Sequence, residues 1–408
     1  MLTQKQIGGA TPEQVLDTLS VMTAGIAPIG KADYQQRIAK ACALMREQGM
    51  AALYLNAGSS LLYFTGTRWY ASERLVGALL TADGQLHYLA PVFEIGTLAS
   101  FQVIEGPVHG WEEHESPYAL FYNVLDALQV ASDAVIGLDE STAFFIADAL
   151  QQRAGQRRIV NGSQVTALCR RQKSANELAI MQRAMDMTLV VHQAVAQILY
   201  EGISTAEVEA FIDEAHRRVG ASAGSYFCIV LFGPDSAFPH GVKTPKVLAK
   251  GDMVLIDTGC RLHDYVSDIT RSYVFGTPTA RQRAIWDLEK AAQAAAFQAA
   301  QLGEACGAVD DAARAVLTTA GLGPDYQLPG LPHRTGHGIG LDIHEWPYLV
   351  RGNTTPLQVG MCFSNEPMIC LPGEFGVRLE DHFYMTEQGP RWFTEPAVAV
   401  DDPFGWRC

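Results

Sequence analysis

Apolar and polar positions follow two different rhythms along this chain, and the change between them marks its organisation. From Tyr34 to about residue 160, stretches with helical spacing such as Tyr34 to Gly49 alternate with short apolar runs such as Ala51 to Leu55 and Leu86 to Ala90. Helices interleaved with short strands predict an α/β domain. Ahead of it, Thr11-Pro12-Glu13-Gln14 sets a capping residue before a proline at the first helical position, with Gln three residues after the cap. That pattern predicts a short helix in an N-terminal extension.

The second rhythm begins after the polar, basic stretch Arg170-Arg171-Gln172-Lys173, where Ser174-Ala175-Asn176-Glu177 forms a capping box that opens a long helix. Ser204-Thr205-Ala206-Glu207 opens another, and Thr279 to about Gln301 is Ala-rich and helical in character. Strand-like runs lie between and after these helices. The expected organisation is an extension over residues 1–30, a first domain over 31–165 and a second over 166–408. No short-period repeat or low-complexity tract interrupts it.

The strand-like runs carry the candidate chemistry. Met253 to Gly259 reads as a buried strand holding Asp257, and Tyr265 to Phe275 as a second one holding Asp268. Acids on paired strands can converge on one point, because side chains on one face recur at every second residue; a single Asp in such a place is otherwise a turn or hydrogen-bonding residue. The segment from His333 to Glu345 packs His333, His337 and His344 between glycines, which let the backbone approach a ligand closely. Clustered imidazoles point to a metal or a proton-transfer site. Glu366 and Glu380 sit inside apolar stretches, where a carboxylate must be paired or metal-bound. For Glu380 the competing explanation is an ion pair with Arg378, since strand alternation puts Arg378, Glu380 and His382 on one face.

Four carboxylates and an imidazole form a hard, oxygen-rich set suited to two divalent ions about 3.5–4 Å apart, with manganese, cobalt, zinc and iron all compatible. Such a pair can hold a bridging water, lower its pKa and polarise a carbonyl, which is the chemistry of amide hydrolysis. Charge narrows the partners. A formal net charge of -14, with no block of Lys and Arg to offset it, excludes a phosphate backbone. The 8 cysteines are scattered without a CxxC pair, as in a reducing compartment. The first 30 residues hold no basic segment followed by an unbroken apolar run, and no later stretch is apolar enough to cross a bilayer. A cytoplasmic protein with no membrane partner is expected.

The order Asp257, Asp268, His337, Glu366, Glu380, within the segments IDTG, YVSDITRS, HRTGHGIGLDIHE, SNEP and VRLED, resembles the pita-bread metallopeptidases, the superfamily of methionine aminopeptidase, Xaa-Pro aminopeptidase and prolidase. The resemblance covers roughly residues 173 to 390 and extends to residues 34 to 160, where Leu61-Leu62-Tyr63-Phe64-Thr65-Gly66 looks like the signature of a creatinase-type N-terminal domain. It implies a creatinase-type α/β domain followed by an α+β pita-bread domain with a curved antiparallel sheet. It also implies two metal ions, manganese first among the candidates. Asp257 would bind one ion, Asp268 and Glu380 would bridge the pair, and His337 and Glu366 would complete the second.

By the same resemblance, the proline-specific branch supplies histidines at His240, His333 and His344. His240 and His344 would position the substrate carbonyl and move a proton to the proline nitrogen, with Glu366 beside them as a catalytic group, and His333 would contact the proline side. Arg378 would hold a substrate carboxylate or orient Glu380. The implied reaction is hydrolysis of the bond before proline in short peptides, foremost Xaa-Pro dipeptides. Xaa-Pro aminopeptidase action on longer peptides is the nearest alternative, and a small-molecule lyase or hydrolase of the same superfamily the next. Groups on N-terminal loops such as Arg68 to Arg74 would decide between the peptidases, and a homodimer is expected. One position departs from the pattern: Asp264 stands where relatives often carry a small residue such as glycine, which predicts altered hydration or loop geometry without loss of metal binding.

Overall fold

The run Met50–Asn56 forms strand β1 and is buried at all but one position. Continuous burial is what a strand covered on both faces requires. The helices Lys31–Glu47 and Ser59–Thr65 pack against it, and the Phe121 ring of the helix Pro117–Ala127 stands edge-on to Tyr54, 5.8 Å between centroids. Around β1 the strands β2 (Gly77–Thr81), β3 (Leu86–Pro91), β4 (Val108–Trp111), β5 (Val135–Leu138) and β6 (Arg158–Asn161) complete a six-stranded sheet in the order β4-β3-β2-β1-β5-β6. The β1–β2 and β2–β3 pairs are antiparallel; the others are parallel. Ala52, Tyr54, Leu79, Leu89, Ile136 and Leu138 lead its core.

This sheet and its helices form one unit of the computed structural model, which describes residues 5–407. The unit spans residues 29–170; the other combines residues 171–407 with the N-terminal segment up to residue 28. The short helix Pro12–Leu16 forms with Thr11 as its cap. Its segment lies along the second unit: the Gly8 N–H donates to the Ala196 carbonyl at 2.8 Å and the Met22 N–H to that of Val219 at 2.8 Å.

In the second unit the capping boxes open their helices: Ser174 caps Ala175–Ile198, Ser204 caps Thr205–Val219 and Thr279 caps Ala280–Ala299. Beneath them the antiparallel strands β7 (Ser225–Phe232), β8 (Met253–Leu262) and β10 (Ile269–Val274) pair in the order β10-β8-β7, with the two-residue β9 (Tyr265–Val266) on β8. A second antiparallel sheet holds β11 (Gly336–Gly338), β12 (Glu345–Leu349), β13 (Cys362–Asn365), β16 (Asp381–Thr386) and β17 (Gly389–Trp392), in the order β12-β11-β13-β16-β17. The strands β14 (Met368–Leu371) and β15 (Phe375–Arg378) make a hairpin. Trp286, Leu255, Phe363, Ile369 and Phe383 are among the buried side chains that join these sheets to the helix Ala280–Ala299.

The single strand expected over Tyr265 to Phe275 is divided, and the division positions Asp268. Ser267 turns inward, its N–H bonding the Cys260 carbonyl at 2.9 Å and its hydroxyl accepting the Cys260 N–H at 2.8 Å. A Cβ on Gly259 would stand 1.7 Å from the Ser267 carbonyl, so only glycine admits this approach. Asp264 lies at φ 75, after His263 at φ 45. Aspartate tolerates the left-handed region better than most residues, which explains how it fits this turn.

Candidate metal centre

Each acid of the centre is delivered by a strand or strand end. Asp257 lies on β8 with Thr270 of β10 registered opposite it. Asp268 falls in the gap between β9 and β10. Glu380 immediately precedes β16, its N–H bonded to the Thr270 carbonyl at 3.1 Å, and Thr270 Oγ1 donates to Glu380 Oε2 at 2.7 Å.

His337 is the middle residue of β11, where a Cβ on the preceding Gly336 would come within 2.1 Å of the Ser364 carbonyl. Its N–H bonds Ser364 Oγ at 2.9 Å, and Ser364 Oγ in turn reaches Glu366 Oε1 at 3.1 Å. The approach to β11 is anchored by the buried Asp310, which accepts the Thr335 N–H at 2.9 Å and hydroxyl at 2.7 Å while pairing with Arg314 at 2.8 Å.

These groups converge. His337 Nε2 stands 3.0 Å from Glu366 Oε1 and 3.7 Å from Asp268 Oδ2. Ligand atoms of His337, Glu366 and Glu380 all lie within 4.8 Å of one another, and so do those of Asp268, Glu380 and His382. Glu380 belongs to both groups, so it could serve two ions at once. Asp257 stands outside both and meets Arg378 Nη2 at 2.5 Å. Arg378 also donates to Thr270 Oγ1 at 3.0 Å and to the Pro239 carbonyl at 3.0 Å. The ion pair considered for Arg378 and Glu380 is therefore replaced by one to Asp257, and Arg378 reaches Glu380 through the Thr270 hydroxyl.

Three buried carboxylate oxygens, Asp257 Oδ1, Asp268 Oδ1 and Glu380 Oε1, have no hydrogen-bond partner among the described residues. Burial raises all three acids above the usual carboxylate range. For Asp257 the Arg378 charge offsets part of the rise, whereas for Asp268 and Glu380 the neighbouring carboxylates add to it. Glu366 goes the other way: burial would raise it, but the hydrogen bond and charge of His337, with His333 and Arg378 behind, hold it well below the ordinary value. Clustered acids with idle lone pairs are costly unless cations join them, so the residues fit divalent metal.

The remaining histidines border this cluster. His344 packs its ring on that of His337, 4.2 Å between centroids, and partial burial together with His337 lowers its pKa to about 4. Its loop is held by Glu345, which accepts the Leu341 N–H at 2.9 Å and pairs with the buried Lys173 at 2.9 Å. His240 and His333 line a cavity of about 350 Å³ with Phe238, Pro239, Gly241 and Pro332. His333 Nδ1 meets the Arg334 carbonyl at 2.7 Å, and burial lowers its pKa. Sequence reasoning placed His382 on the Glu380 face but gave it no role, and it missed Thr270, Ser364 and Lys173. Hydroxyls that bond ligands from neighbouring strands leave no spacing signal.

The family model for metallopeptidase family M24 matches residues 179–387, and that for the creatinase/prolidase N-terminal domain matches residues 37–172. This chain belongs to metallopeptidase family M24, and its two units carry the creatinase-type and pita-bread folds. It is 35% identical over 359 residues to a probable dipeptidase, PepE, of Mycobacterium tuberculosis, covering 87% of this chain and 93% of that one. Among solved structures it is similar to dipeptidase PepE of Mycobacterium ulcerans, with TM-score 0.83, 34% identity and coverage of 90% and 97%. It is also similar to the prolidase of Thermococcus sibiricus, with TM-score 0.80, 29% identity and coverage of 89% and 97%.

Proposed function

We propose that this chain is an Xaa-Pro dipeptidase that uses two divalent ions, with manganese the first candidate for its carboxylate-rich ligands. The observation that carries this reading is the pair of ligand groups sharing Glu380, next to the histidines that line the cavity at Phe238–Gly241. Asp257, Asp268, His337, Glu366 and Glu380 would hold the ions. When bound, the ions supply Lewis-acid polarisation of the scissile carbonyl and activation of water.

The chain's own residues do the rest. Arg378 bonds Asp257 directly and Glu380 through Thr270, which would orient both ligands. Burial and the neighbouring His337 keep His344 neutral at pH 7, and it would assist proton movement to the proline nitrogen. His240 would orient the substrate carbonyl. A proline nitrogen carries no N–H and must gain a proton as it leaves, which gives these imidazoles their task. His333 would pack against the proline ring in the cavity it lines with Pro332 and Phe238.

The names of the relatives, dipeptidase and prolidase, support short peptides as substrates. No helix among the described residues is long and apolar enough to cross a membrane. We assign the enzyme to the cytoplasm, as a homodimer.

The test is hydrolysis of Ala-Pro against a matched Ala-Pro-Ala tripeptide, by protein stripped of metal and then supplied with manganese, cobalt or zinc. Cleavage of the dipeptide alone is expected. Cleavage of the tripeptide alone would assign the chain as an Xaa-Pro aminopeptidase, and silence on both with metal bound would overturn the peptidase reading.

A further inference from the structure

The geometry points to His382 as a sixth protein ligand of the metal centre, giving each ion one imidazole and raising its affinity for zinc or cobalt above that of a centre with the five ligands alone. This rests on the dinuclear reading above.

The argument begins with strand register. β11 sets Gly338 opposite Phe363 of β13, which brings His337 opposite Ser364, and β16 sets His382 opposite the same Ser364. Residues opposite one another on adjacent strands point to the same face. His337, Ser364 and His382 therefore form one row across three strands, with the two imidazole centroids 6.1 Å apart. Glu380, two residues before His382, is turned to that face as well.

His382 is fully buried, and neither of its ring nitrogens makes a well-formed hydrogen bond among the described residues, although the Asp268 backbone carbonyl faces the ring and favours its protonated form. Other buried histidines of this unit differ. His192 Nε2 meets the Ile269 carbonyl at 2.9 Å, with Nδ1 left unpartnered among the described residues, and His216 bonds both Thr188 at 3.2 Å and Ser225 at 2.9 Å. A histidine kept only for packing has at least one well-formed bond of this kind, whereas an imidazole with none, set beside carboxylates in a dry site, has room for a ligand from outside the chain. The groups facing His382 are acceptors with the same need: its ligand atom lies within 4.8 Å of those of Asp268 and Glu380, and both carboxylates have an unpartnered oxygen.

The two groups of three are matched in composition. One holds His337, Glu366 and Glu380, the other His382, Asp268 and Glu380. With His337 as the sole imidazole, one ion would have oxygen ligands only, a set that suits manganese. An imidazole on each ion moves both sites toward zinc, cobalt and iron.

Binding, read apart from catalysis, provides the test. Metal-stripped protein is titrated with zinc and with manganese by calorimetry, and the cobalt-loaded form is examined by proton NMR for strongly shifted, exchangeable imidazole N–H signals. Wild-type protein should take up two ions and show two such signals. His382→Leu should lose one signal and bind one zinc ion at least tenfold more weakly, with a smaller change for manganese. His344→Gln should keep both signals, which excludes His344 as their source. Unfolding of the metal-free proteins checks that the variants are folded, and removal of an imidazole without a well-formed hydrogen bond should leave the His382→Leu midpoint unchanged or higher.

One shifted signal in wild-type protein with two ions bound would overturn the assignment even if His382→Leu did not fold. Unchanged zinc affinity and unchanged signals in a folded His382→Leu would do the same. Wild-type protein that binds no divalent ion would overturn both this inference and the dinuclear reading, whereas two bound ions without cleavage of Ala-Pro would sink only the dipeptidase reading.

Discussion

Two buried aspartates, one in each unit, show how differently the same side chain is used. In the N-terminal sheet unit Asp139 follows β5, and each of its oxygens has a donor: the Asn56 N–H on one, the Ser141 N–H at 2.8 Å and hydroxyl at 2.5 Å on the other. Burial raises its pKa to about 6, against the pull of those hydrogen bonds. In the metal-centre unit Asp268 is equally buried, yet one oxygen has no partner among the described residues and the charges that raise its pKa are other acids. Asp139 is explained by the fold around it, whereas Asp268 is explained only by a ligand.

The same contrast recurs across one peptide bond. Glu380 faces the centre with an idle oxygen, while Asp381 turns to the opposite side and is met by Arg271 at 2.6 Å, Thr394 at 2.6 Å and Gln293 at 3.2 Å. Burial of an acid marks a demand for partners, and the identity of those partners separates structure from chemistry.

The largest effect should come from the acid with an unpartnered oxygen, Asp268. Asp268→Asn removes charge from the centre and should lower metal content and cut peptide hydrolysis by roughly 10³-fold, because the ions supply several kcal/mol of transition-state stabilisation. Metal-free protein should unfold no more easily, since a repelling carboxylate is gone. Metal analysis together with thermal unfolding checks both parts, and a stable variant that retained its metal and activity would erase the contrast.

Acids with full partner sets should respond in the opposite sense. Asp381→Ala strands the Arg271 guanidinium in a dry interior and should destabilise the metal-centre unit by about 3–5 kcal/mol. Asp139→Ala leaves donors unpaired in the N-terminal sheet and should cost about 1–3 kcal/mol. Urea unfolding measures each loss, and the metal content per folded molecule of the Asp139 variant should stay at the wild-type value.

The smallest effect sharpens the comparison with a buried base. Burial lowers His216 to about 4, so between pH 6.5 and 4 the unfolded chain binds the proton that the folded chain does not. Stability from this group is complete above pH 6.5 and is lost as pH falls toward 4. Between pH 7 and 5 the loss is on the order of 1–2 kcal/mol. His216→Gln should flatten the pH dependence of urea unfolding by about that amount, and an unchanged slope would show that His216 does not couple folding to pH in this window.

Much of this was legible in the amino-acid order because it depends on neighbours in the chain. Capping boxes at Ser174, Ser204 and Thr279 mark helix starts through bonds made three residues apart, and apolar runs announce β1 and β8. The five candidate ligands could be named from their segments. What could not be read is which atoms meet across the sheets. Arg378 was weighed as a partner of Glu380 two residues away, yet its guanidinium lies on Asp257, 121 residues earlier. The break at Ser267 depends on the close approach of Gly259, and His382 gains its setting from the register of β11, β13 and β16. Local hydrogen bonds and side-chain alternation are properties of the chain itself, so sequence determined the elements and the residue types of the centre. Partner assignment among buried charges depends on distances between strands remote in sequence, and only tertiary structure decided those.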